Sequence, residues 1–91
     1  MDLDKQKAPD NKVIEIKDLD QLLSLIKTTP AVVVDFWATW APACAPFRPI
    51  FTAKAESDTN VLFCSVNVDS AEETAAHFCL KEIPQVTFFL N

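Results

Sequence analysis

The stretch AVVVDFWATWAPACAPFRPIF, residues 31–51, decides how the chain is read. Residues 31–38 are β-branched, aromatic or small, broken by one charge, Asp35. A run of that kind suits a strand covered on both faces, and therefore a parallel or mixed sheet packed under helices. A proline-punctuated turn follows, and Pro42 can open a helix at its first position. Phe47, Ile50, Phe51 and Ala55 would then line one face of a helix running to about Ser57. Pro46 and Pro49 fall inside it. An interior proline removes a hydrogen bond and costs about 3 kcal/mol, so this helix is expected to start late or to kink.

The flanking chain repeats the alternation. Val13–Ile16 reads as a short strand. Asp18, with Gln21 three residues on, resembles a capping box, and Leu19, Leu22, Leu23 and Ile26 follow at helical spacing until Thr28-Thr29-Pro30 ends them. Residues 60–69, NVLFCSVNVD, read as a second core strand. Ser70 with Glu73 suggests another capping box, opening a short helix to about Cys79, and QVTFFL at 85–90 is a last strand after Pro84. The order β-α-β-α-β-α-β predicts an α/β sandwich around a central sheet.

At 91 residues the chain is one small domain, with residues 1–11 read as a polar lead-in. Its net charge is −5 and its eight basic residues are scattered, which argues against a nucleic-acid partner. No apolar run reaches the ~20 residues of a membrane span, and the polar N-terminus lacks the apolar segment of a secretory signal. The three cysteines, Cys44, Cys64 and Cys79, are odd in number and widely spaced, so they suggest neither a disulfide framework nor a metal knuckle. A reducing, cytoplasmic location fits that usage. There is no glycine, so every turn is made without the residue that best tolerates positive φ.

Chemistry concentrates at Cys44. A thiol in the first turn of a helix is placed where backbone N–H groups and the helix dipole favour the thiolate. Two cysteines separated by two residues would form a dithiol switch there, the first attacking a substrate disulfide and the second resolving the mixed disulfide. The position three before Cys44 is Ala41, so the attacking sulfur is missing. Asp35, a carboxylate in an apolar strand, needs a partner or a function. Cys64 reads as core. Cys79, near the end of the third helix, is a candidate for an intermolecular disulfide.

VVVDFWATWAPAC, then Pro49, then VNVD, then EIPQVTFFLN resembles the thioredoxin family in order and spacing over roughly residues 13–91. The resemblance implies a thioredoxin-like sandwich, a mixed sheet flanked by helices. It implies thiol-disulfide exchange on protein disulfides, with a thioredoxin-reductase-type electron donor as partner and no metal or organic cofactor. By this match Trp40 is the tryptophan before the redox turn, and Ala41 stands at the nucleophilic cysteine. Pro42 and Ala43 replace the family's Gly-Pro. Cys44 stands at the resolving cysteine, and Asp35 at the buried aspartate that relays its proton. Pro84 matches the cis-proline and, with Ile83, Trp40 and Pro42, shapes the substrate groove. Ser65 stands where the family often has a basic residue near the aspartate, and Cys79 and Glu82 where it commonly has glycines. With Ala41 in place the family mechanism should be blocked; the alternative is a non-catalytic module that binds peptides in the groove. A monothiol that holds an iron–sulfur cluster ranks behind both, because such relatives usually keep the first cysteine. The family continues beyond FLN with a further strand and helix. Strand 85–90 is therefore expected as an exposed edge with uncovered Val, Phe and Leu side chains, and that edge or Cys79 as a route to a homodimer.

Overall fold

The computed structural model describes residues 13–90, so the lead-in at 1–11 lies outside the described residues. Seven elements alternate. They are β1 (Val13–Glu15), α1 (Leu19–Thr28), β2 (Ala31–Trp37), α2 (Cys44–Ser57), β3 (Leu62–Asn67), α3 (Glu72–His77) and β4 (Gln85–Leu90). The four strands form one mixed sheet in the order β1-β3-β2-β4. β3 runs parallel to both β1 and β2, and β4 is antiparallel to β2. This is the expected α/β sandwich.

Strand alternation divides the core into two layers. On one face Val32, Val34, Phe36, Cys64 and Val66 are buried with Leu22 of α1 and Ala71 before α3. Phe78, just after α3, stacks between Phe36 and Phe89 at centroid distances of 5.6 and 5.5 Å. On the other face Val33 and Phe63 meet Phe51 and Ala55 of α2. Phe51 lies 5.3 Å from Phe63 in an edge-on contact. β4 continues this second face, since Val33 pairs with Phe88, Asp35 with Val86 and Ala31 with Leu90. There Val86, Phe88 and Leu90 are exposed on that face, and the outer flank of β4 is unpaired among the described residues.

Helix α1 begins as its sequence suggests. Asp18 Oδ1 accepts from the Gln21 amide at 2.8 Å, and Gln21 Oε1 accepts from the Lys17 amide at 2.7 Å. The second capping box does not form. Asn67 O accepts from the amides of both Ser70 and Ala71, and Ala71, with no side-chain cap, precedes the helix at Glu72. α2 starts late, at Cys44 rather than Pro42, so Pro46 falls in the first turn where its missing N–H costs nothing, while Pro49 lies inside. Ile50, expected on the buried face, is exposed; the contact with the sheet runs through Phe47, Phe51 and Ala55 instead.

Candidate functional site

The redox-like turn sits where β2 ends and α2 begins. Two backbone bonds shape it, from the Ala41 amide to Ala38 O at 3.3 Å and from the Cys44 amide to Ala41 O at 3.0 Å. The second bond links the two positions that a dithiol would occupy. Both are covered: Ala41 is 5% exposed and Cys44 2%. Together with Trp37, Pro42 and Arg48 they line a cleft of about 250 Å³. Trp40 projects beside it, 63% exposed, with its indole N–H donated to Asp69 Oδ1 at 3.0 Å. An exposed aromatic ring tethered at one end offers a wide contact surface at low entropic cost.

Asp35 lies mid-strand on the face that α2 covers and is 1% exposed. Its Oδ1 has no hydrogen-bond partner among the described residues. Burial raises its pKa from 3.8 to about 6, and the Arg48 guanidinium, acting in the opposite sense, holds it from rising further. Trp37 is next on the same face of β2, and Arg48 stacks over its ring at 4.0 Å. Ser65, beside Asp35 on β3, is buried, and its Oγ has no hydrogen-bond partner among the described residues.

Ala41, Pro42 and Cys44 thus share one cleft. The Ile83–Pro84 bond is cis, as the resemblance implies. Pro84 lines a second cleft, of about 320 Å³, with Cys79, Lys81, Glu82 and Gln85, and Ile83 packs against the core. Cys64 is fully buried, and burial pushes its thiol up to about 11; Cys79 is exposed. Among the described residues no group of His, Cys, Asp and Glu side chains could hold a metal ion, and no helix is long and apolar enough to cross a membrane. Arg48 and Asp69 escaped the sequence reading. The signal for Arg48 was a lone cation in the apolar run APFRPIF, one helical turn after Cys44. Asp69 closes the VNVD segment, but nothing there pointed to Trp40, which it meets across 29 residues.

A family model described as thioredoxin matches residues 11–91. A thioredoxin of Mycoplasma pneumoniae is 36% identical over 77 residues, covering 85% of this chain and 76% of the relative. A thioredoxin of Mycoplasmoides gallisepticum is 42% identical over 72 residues, covering 79% of this chain and 69% of the relative. Among solved structures, a Malassezia sympodialis thioredoxin superimposes with a TM-score of 0.84 at 28% identity, covering 98% of this chain and 79% of that one. A Schistosoma mansoni thioredoxin superimposes at 0.80 with 34% identity, covering 90% and 77%.

Proposed function

Since the chain belongs to the thioredoxin family, a lineage of thiol-disulfide oxidoreductases, we propose that it is a member whose substrate groove is retained and whose dithiol chemistry is blocked at its first step. In that chemistry a thiolate attacks one sulfur of a substrate disulfide. A mixed disulfide forms, and the other substrate sulfur leaves as thiolate. The resolving thiol then attacks the mixed disulfide, closes an internal disulfide and releases the reduced substrate; a donor of two electrons restores the dithiol. Ala41 stands at the attacking position and has no sulfur to supply. Cys44 is the resolving thiol, Asp35 its proton partner, and Trp40, Pro42, Ile83 and Pro84 the groove. The observation that carries this reading is the Ala41–Cys44 pair, joined by a backbone bond and buried in one cleft at the turn between β2 and α2. Protein disulfides are the substrates of a competent form, and a thioredoxin-reductase-type protein its electron donor.

Burial of Cys44 also supports the second reading, a non-catalytic module that holds an extended peptide beside Trp40, because a covered thiol is a poor attacker in its own right. Self-association belongs to the same proposal and is supported by the exposed apolar side chains of β4. Insulin-disulfide reduction by dithiothreitol tests the main reading, comparing the chain with its Ala41→Cys variant. Acceleration by the variant alone is expected. Peptide binding that survives Cys44→Ser, with no acceleration by Ala41→Cys, would favour the binding module.

A further inference from the structure

The sheet has two edge strands, and they are built differently. β1 is three residues long, ends on Glu15 and is followed within two residues by Lys17. Shortness and charge are two of the devices that keep a free edge from pairing with another chain. β4 carries neither. It is six residues long, QVTFFL, with no charge and no proline. Its register against β2 runs unbroken from Ala31–Leu90 to Phe36–Gln85, so no bulge twists the edge away. Its outer flank is unpaired among the described residues, and alternate residues there turn backbone N–H and C=O groups outward.

The side chains decide which strand fits that flank. Val86, Phe88 and Leu90 stand exposed on one face. Thr87 and Phe89 alternate to the other, where Phe89 packs on Phe78 at 5.5 Å. An antiparallel partner centred on Phe88 sets Phe88 opposite its own copy, Val86 opposite Leu90 and Thr87 opposite Phe89. In that register β4 is its own complement. Apolar meets apolar on the exposed face, with an aromatic pair at the centre. No like charges meet along the junction, although each copy carries a net charge of −5. We propose that β4 is the interface for a second copy of this chain, joined antiparallel about a twofold axis through Phe88, so that two four-stranded sheets become one. An axis normal to the sheet keeps both α2 helices on the same face, flanking the joined apolar strip. The proposal rests on the self-association read above and gives it a strand, a register and a symmetry.

The test is oxidative cross-linking of the full chain in a Cys79→Ser background, which leaves only the buried Cys44 and Cys64 beside an introduced thiol. Val86→Cys and Leu90→Cys are oxidised with copper phenanthroline, each alone and mixed in equal amounts. Facing residues in this register lie about 5 Å apart at Cβ, within reach of a disulfide. Val86 and its own copy are offset by four residues, roughly 13 Å along the strands. The mixture should give several-fold more disulfide dimer than either variant alone. Phe88→Cys, which faces its own copy, should cross-link by itself, and it supplies the same test if either of the others fails to fold. Under reducing conditions, sedimentation velocity should show a dimer of the unaltered chain that Leu90→Lys, at an exposed position, dissociates. Equal yields from the mixture and the single variants overturn the proposal and leave self-association through another surface. A dimer that survives Leu90→Lys with the same cross-linking does likewise. A monomer at every concentration overturns both. None of these outcomes bears on the dithiol reading, which insulin reduction by Ala41→Cys decides separately.

Discussion

Asp35 places a carboxylate where water does not reach it, and the fold bears that cost at neutral pH. Because the folded-state pKa is raised, from 3.8 to about 6, the folded chain binds more protons than the unfolded chain between those values. The contribution of Asp35 to stability is therefore most favourable below about pH 4, falls as pH rises through that window, and is level above it. A shift of that size corresponds to roughly 3 kcal/mol. Asp35→Asn removes the charge and keeps a polar group that still lacks partners, so it should recover on the order of 1–2 kcal/mol. Urea denaturation should show the variant more stable at pH 7.5 and nearly equal to the parent at pH 3.8. A variant less stable than the parent at pH 7.5 would mean that the carboxylate is held by bonds rather than penalised by burial. Residue-level roles were only half legible in the sequence. Asp35 stood out as a charge in an apolar run. Arg48 did not, because its meaning depends on which strand face its helix covers.

At the scale of elements, two similar capping signatures had different fates. Asp18 caps α1 by direct side-chain bonding, whereas Ser70 lies in a turn whose amides go to Asn67. Asp18→Ala should then cost about 1 kcal/mol in denaturant unfolding, and Ser70→Ala should fall within about 0.5 kcal/mol of the parent. Equal losses in the two variants would contradict this assignment. The spacing rule missed the difference because Asn67 O takes the Ser70 amide that the Glu73 side chain would have to bond, and such competition is visible only once the turn is built. The prolines of α2 behave as their positions require: one sits in the first turn, and Pro49 leaves the Ala45 carbonyl without its usual donor. Lack of glycine has one visible cost. Cys79, just past α3, takes φ = 54°, the left-handed conformation that glycine commonly fills after a helix.

Across the whole molecule, the strand–helix alternation and the buried runs of β2 and β3 made the layered fold legible before any coordinates. The sheet is mixed because β3 runs parallel to β1 and β2 while β4 pairs antiparallel with β2. What could not be read was the pairing of distant surfaces: Trp40 with Asp69, or Arg48 with Trp37. Those depend on how helices settle on a twisted sheet, not on local pattern. The exposed Val86, Phe88 and Leu90 of the edge strand predict self-association. Sedimentation velocity should show a concentration-dependent rise that Phe88→Lys suppresses, since an edge charge opposes strand pairing. A monomer at every concentration would contradict that expectation.

The most direct test of the central claim concerns the missing sulfur. Insulin reduction by dithiothreitol should proceed at the uncatalysed rate with this chain and be accelerated by its Ala41→Cys variant. That result would mean that the fold, the groove and Cys44 are competent, and that one alanine silences them. Equal rates for the two proteins, with the variant folded, would contradict the account and place the loss of chemistry in more than one residue.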